Sequence, residues 1–404
     1  MMNELLTHQR GLTRRHFFGR SAVGTGALAI VLPLISSVAA HGSCGFPYRS
    51  VPESGRDVVV VAEWTAVKEA TDERHLDLTT FRILRITRSH KKFRLKTNDE
   101  IAVTSRVAGK KGQKFILSAR EVQGELRWGP PWKFNEARSK YLTQAPSQAV
   151  TDRTRIEFFL TFLEHADARI AQDAFEEFEL VIPYEAVVTS AQLLPAAKLR
   201  KAVFAENANQ IRLSTYARML GLCGNADDAK RLEKKILDVP DHFRLGVGGM
   251  IIAYLWLTGE KGLEVIEEKV IRNRKLKFGE LYSAFRAVGF LWDHGQKRIQ
   301  RKRLQKSMKL LLDRPIMFEL AILRLAVMRD WSVQHRVMAS YGKEPNEQPS
   351  DRRAMLRYLI ASTKDRPKDK NAKLPQHVVK GLKYLKALEK RDPKTADQVR
   401  RFSF

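Results

Sequence analysis

Leu213-Ser214-Thr215-Tyr216-Ala217-Arg218-Met219-Leu220-Gly221-Leu222-Cys223-Gly224-Asn225 is the stretch whose periodicity sets the architecture. Leu213, Tyr216, Ala217 and Leu220 stand at i, i+3, i+4 and i+7, one stripe of an α-helix. Gly224-Asn225 reads as the stop, with glycine taking the left-handed backbone that ends many helices. The theme recurs downstream: residues 250–257 run to Thr258-Gly259, residues 281–292 to His294-Gly295 and residues 320–328 to Asp330-Trp331. These stops lie 35, 36 and 35 residues apart. A second amphipathic segment follows each. Neither helix of a pair can bury its apolar stripe alone, so successive pairs must stack to make a core.

The pattern resembles HEAT-type helical repeats, an α-solenoid of about five or six units with atypical ends. It is expected to fill residues 146–404. Upstream, residues 156–163 lead to the turn His165-Ala166-Asp167, and Ile170, Ala174, Phe175 and Phe178 share one helical face. Downstream, the Lys/Asp/Pro-rich residues 363–374 are expected to form a mobile loop, and residues 378–390 a last amphipathic helix.

Before the helices the period changes to two. Residues 57–64, 79–86, 100–104, 114–118 and 124–128 read as five short strands. Thr97-Asn98-Asp99 and Gly109-Lys110-Lys111-Gly112 supply turns, the latter as a charged hairpin. Five short strands suggest a small barrel, and the expected fold class is α+β, a small OB-like β-barrel over residues 41–145 followed by the helical repeats. The order of pieces over about residues 44–145, opening on Cys44-Gly45-Phe46-Pro47, resembles the netrin/metalloproteinase-inhibitor type of barrel. Inhibitors of that family hold zinc through a terminal cysteine fixed by disulfides. Cys44 would not be terminal and has no second cysteine nearby, so that activity is not carried over.

Residues 1–40 read as an address. Thr13-Arg14-Arg15-His16-Phe17-Phe18 resembles the twin-arginine export motif, with Arg14, Arg15 and Phe17 as its signal residues. An uncharged stretch over residues 21–40 closes on Val38-Ala39-Ala40, where cleavage after Ala40 is expected. Twin-arginine export moves folded proteins, which suits a chain with only two cysteines, Cys44 and Cys223. The expected location is the periplasm or cell envelope, with no stable membrane span after cleavage. Residues 162–165, 173–178, 219–225, 311–315 and 330–334 carry a resemblance to an uncharacterised family of exported bacterial proteins, which implies this two-part layout and no activity.

The chain holds 72 Lys and Arg against 45 Asp and Glu among 404 residues, a formal net charge of +27. That favours acidic partners, an envelope protein or an anionic polymer; export argues against nucleic acid. No phosphate-binding loop, nucleophile elbow, zinc-protease motif, Cys-x-x-Cys pair or dinucleotide fingerprint occurs in the sequence, and no cofactor is implied. Lys297, Arg298, Arg301, Lys302 and Arg303, with Lys306 and Lys309, form a basic helical run able to contact a polyanion, or simply a solvated face. Trp128-Gly129-Pro130-Pro131-Trp132 offers either an aromatic platform from Trp128 and Trp132 or a packed domain junction. Asp227-Asp228 and Glu267-Glu268 read as helix-dipole or surface charges. A cleaved chain would begin at His41, whose amine and imidazole could grip copper with His75 or His90 opposite. The expected function is that of a non-enzymatic binding or scaffold protein of the envelope. The alternative is an exported enzyme, copper-dependent through His41 or an unrecognised hydrolase.

Overall fold

The computed structural model describes residues 57–69, 77–147, 149–240, 242–369 and 371–401. The export motif with Arg14, Arg15, Phe17 and Ala40, the copper reading of His41 and His75, and Cys44 lie outside the described residues. What is described is α+β: an antiparallel sheet followed by a succession of helices.

The strands are β1 (Val58–Lys68), β2 (Leu78–Arg88), β3 (Glu100–Val103), β4 (Lys114–Val122), β5 (Glu125–Trp128) and β6 (Trp132–Lys133). Their order is β3-β2-β1-β4-β5, with β6 also on β4. The continuous apolar run at the start of β1 follows from coverage on both faces. Val58, Val60 and Ala62 pack with Phe81, Ile83, Phe115 and Leu117 in a core of the sheet's own. Val59 and Ile116 point the other way, into the core of the helices beside Trp132 and Tyr141.

The expected barrel is not closed: β3 and β5 are edges that do not pair. Both have four residues, and β5 pairs only with the far end of β4, from Ala119 to Val122. Nor is Gly109-Lys110-Lys111-Gly112 a hairpin turn, because β3 and β4 are not neighbours. That connection instead lies against Trp64, whose indole donates to the Val107 carbonyl at 3.0 Å. A Cβ on Gly109 would come within 2.7 Å of the indole ring, so only glycine fits.

The helices are α1 (Glu136–Gln144), α2 (Asp152–Leu160), α3 (Ala168–Glu176), α4 (Tyr184–Thr189), α5 (Ala196–Phe204), α6 (Leu213–Cys223), α7 (Ala226–Leu237) and α8 (Val247–Thr258). They continue as α9 (Glu260–Ile266), α10 (Phe278–His294), α11 (Arg301–Leu310), α12 (Phe318–Val327), α13 (Gln334–Ser340), α14 (Pro349–Lys364), α15 (Gln376–Arg391) and α16 (Pro393–Arg401). Two π-helical turns, Glu177–Val181 and Glu267–Ile271, extend α3 and α9. Helix α8 packs on α6, α7, α9 and α10, and α14 on α12 and α15. Tyr141, Leu142 and Ala145 share one core with Ile156 and Phe159 across the expected boundary between residues 145 and 146.

The four stops fall where the spacing put them, but their backbones differ. Only Gly259 is left-handed (φ +67°); Gly224 and Gly295 have φ of −80° and −76°. Those two are glycines for room: a Cβ would lie 2.7 Å from the Leu220 carbonyl oxygen and 2.4 Å from that of Leu291. At the fourth stop Arg329 itself takes φ +52°. Asn225 and Asp228 then close a reciprocal capping box at the start of α7.

The repeat spacing reappears in the polar contacts. Arg244 holds Glu280, Arg303 holds Glu267 and Arg329 holds Asp365, each pair 36 residues apart. Other arginines take carbonyls at or just beyond helix ends, which have no partner within the helix. Arg298 donates to the carbonyls of Trp256 and Leu257, Arg314 to those of Ile271, Asn273 and Leu276, and Arg336 to that of Leu312.

Asp167 caps α3 and receives Arg138 and Asn135 as well as the Arg169 and Ile170 amides. Burial raises its pKa, but these donors outweigh it and hold the carboxyl down to about 2. A carboxyl held below its unfolded value contributes stability that is complete above about pH 4 and is lost as pH falls toward 2. Asp167→Asn is therefore expected to flatten the loss of stability over that window, measured as denaturant midpoints at successive pH values. An unchanged slope would show that other carboxylates govern it.

Candidate functional site

The basic run expected on one face is divided among several tasks. Arg303 is drawn inward, with its guanidinium on Glu267 at 2.8 Å and Ser307 donating to the same carboxylate at 2.5 Å. Burial raises the Glu267 pKa, yet Arg303 and Ser307 outweigh it and keep the group ionised. Glu267, read as a surface charge, is thus a tie between α9 and α11. Arg298 caps α8, and Arg301 lies over the Trp292 ring at 4.7 Å. Lys309 meets Asp330 at 3.1 Å. Lys297, Lys302 and Lys306 remain exposed.

Trp128 and Trp132 do not form a platform. Trp128 is half-buried against the sheet's own core. Trp132 is 6% exposed, stacked on Tyr141 at 6.2 Å, with Arg169 over its ring at 4.7 Å. It packs the junction between sheet and helices, the other reading of this pair.

Two histidines meet carboxylates. His377 Nε2 lies 3.2 Å from Asp365, which also takes Arg329 and the Trp331 indole. Burial raises the Asp365 pKa, but Arg329 and Trp331 lower it more. This corrects the mobile-loop reading at its start: Thr363 and Lys364 belong to α14, and Asp365 is fastened from two sides. His294 Nδ1 sits 2.5 Å from Glu185, at the start of α4, 109 residues earlier. Beside it, Tyr184 meets Phe290 edge-on at 4.7 Å, and Arg218 lies over the same ring at 5.5 Å. Burial pushes the Tyr184 hydroxyl well above its usual range, so it stays a donor. The cluster fixes α4 across α10. His294 and Glu185 are spent on each other, which makes the pair a clasp.

His90 lies tilted against Phe93 at 5.5 Å, and no group of three metal-ligating side chains occurs among the described residues. Asp228, the second candidate acid pair's inner member, is held by Arg200 at 2.6 Å and 2.7 Å and serves the α7 cap. Cys223 donates to the Met219 carbonyl, and burial pushes its thiol up to about 11, so it is a poor nucleophile.

A concavity with a positive lining was not anticipated. Arg200, Lys201, Phe204 and Arg231 line a shallow recess between α5 and α7, with Arg231 over the Phe204 ring at 3.8 Å. Its cations come from two helices about thirty residues apart, so no local run signals it. A second recess, between α2 and the start of α5, holds Glu157, Thr161 and Lys198. Both are open and could receive an acidic side chain or a sugar acid. No helix among the described residues is long and apolar enough to cross a membrane. Comparison with known proteins gives no match to this chain, whether with a family model, a curated sequence or a solved structure.

Proposed function

We propose that the chain is a non-enzymatic binding or scaffold protein of the cell envelope, built on HEAT-like helix pairs and taking an acidic protein or anionic polymer as its partner. The observation that carries this reading is the allocation of charge. Acids such as Glu267, Glu280 and Asp365 are committed to arginines one helix pair away, while others such as Glu260, Glu264 and Glu268 stay exposed, and the full chain keeps 72 Lys and Arg against 45 Asp and Glu. The cationic excess is what remains for a partner: Lys201 and Arg231 at one recess, Lys297, Lys302 and Lys306 at one turn. Stacked helix pairs present long surfaces of this kind.

The test is a pull-down from envelope extract with the full chain at low and high salt. A partner retained at low salt and released at high salt is expected, because exposed charges are screened within about 10 Å at 0.1 M ionic strength. Lys201→Glu/Arg231→Glu should abolish the capture. Capture that is indifferent to both salt and these substitutions would overturn the charge-driven reading.

A further inference from the structure

Side chains of the connections between helix pairs supply a feature that the ion pairs and recesses do not use. Ile211, Phe243, Phe278 and Ile316 are 55%, 65%, 42% and 60% exposed. Each precedes or opens one of four alternate helices: α6, α8, α10 and α12. Contacts between the connections put them in a row. A Cβ on Gly246 would meet Leu213 at 2.7 Å, so the segment leading to α8 lies beside Ile211. The Phe243 ring lies against Gly279, next to Phe278, and Arg244 reaches Glu280 in the same turn. Arg314 binds the carbonyls of Ile271, Asn273 and Leu276, which sets Ile316 beside the segment that opens α10. One apolar side chain per helix pair thus projects from a single edge.

The same edge is basic. Ile271-Arg272-Asn273-Arg274-Lys275-Leu276-Lys277-Phe278 carries four cations and no acid. Arg272, Arg274 and Lys275 are exposed. The four connections also carry the acids Glu206, Asp238, Asp241 and Asp313 in sequence, of which Asp313 is held by Arg336 at 2.9 Å.

We infer that this edge docks on the surface of an anionic lipid bilayer. Separate tips on neighbouring connections suit an interface that each tip can enter on its own. An extended peptide would need a trough, and the two recesses lie elsewhere, lined by α2, α5 and α7. Phenylalanine and isoleucine favour the boundary between headgroups and acyl chains, and lysine and arginine meet the phosphates there. Two weak signals together give stable attachment where either alone gives a marginal one. The inference does not depend on the protein or polymer partner proposed above.

The test uses the full chain with phosphatidylcholine vesicles, with and without phosphatidylglycerol. Hydrogen exchange locates the contact, so adsorption through residues 21–40 is distinguished from contact through the edge. Protection is expected at residues 205–212, 242–246, 271–278 and 311–317 with the anionic vesicles only. Phe243→Ser/Ile316→Ser and Arg274→Glu/Lys275→Glu, both at exposed positions, should each remove that local protection and weaken sedimentation with vesicles about tenfold. Unchanged circular-dichroism melts would verify that these variants fold. Protection confined to other segments, equal binding by parent and variants, or protection of this edge by polyglutamate but not by vesicles would overturn the inference.

Discussion

Arg155→Met is expected to lower the stability of the folded chain by about 3–5 kcal/mol, the usual cost of breaking a buried ion pair from one side. Arg155 on α2 and Glu177 at the first π-helical turn after α3 are 4% and 2% exposed, and their charged ends meet at 2.5 Å. Removing the arginine leaves a carboxylate that is buried and cannot regain water. Arg155→Met/Glu177→Leu should recover most of the loss, because an apolar pair of similar volume removes the desolvation cost of both charges. The measurement is the urea midpoint of each variant. A single substitution costing less than about 1 kcal/mol would mean that the pair acts as an exposed one.

That pair also shows what a sequence can and cannot declare. The five strand runs, the four helix stops and the amphipathic helix over residues 378–390, although α16 follows it and it is not the last, were legible because each rests on local periodicity or punctuation. β4, expected over residues 114–118, extends to Val122, and α10 begins at Phe278 rather than Leu281. Those are adjustments of element ends, where tertiary packing overrides local signals. Barrel closure was not legible, since it depends on whether two short edges come within hydrogen-bonding reach. The roles of the charges were least legible. Arg298, Arg301 and Arg303 are near neighbours in sequence, yet one caps a helix, one lies on a tryptophan and one ties two helices. A basic run announces charge and not its destination. The period of 36 could have helped: an arginine one helix pair away from an acid recurs at 244/280, 267/303 and 329/365.

The edge and the ties share one physical origin. In the proposed stacking of helix pairs, ends become rows, and whatever occurs once per pair is multiplied along a row. In the polar contacts the element that recurs across 36 residues is an Arg–carboxylate tie. Along one edge it is an exposed apolar tip.

Gly248 and Gly249 make the sharpest contrast in the chain, and substitution of the two by alanine is expected to have opposite signs. Both lie in the first turn of α8. A Cβ on Gly248 would find its nearest neighbour, the Ser283 carbonyl oxygen, at 3.7 Å, which is ordinary contact. Gly248→Ala should therefore stabilise by about 0.5–1 kcal/mol, the helical advantage of alanine over glycine. A Cβ on Gly249 would lie 2.3 Å from the Ser214 carbonyl oxygen and 2.4 Å from its Cα, both backbone atoms of α6 that no rotamer can move. A Cβ on Gly221 would lie 2.6 Å from the Cα of Ala253, so α6 and α8 approach backbone to backbone at two places. Gly249→Ala must push the helices apart and is expected to cost about 2–3 kcal/mol despite the gain in helix propensity, and Gly249→Val more. Because α8 also carries α7, α9 and α10, the displacement should loosen the middle of the array, read as faster hydrogen exchange in α6 and α8 together. Equal and small effects of the two alanine substitutions would mean that α6 and α8 do not approach this closely.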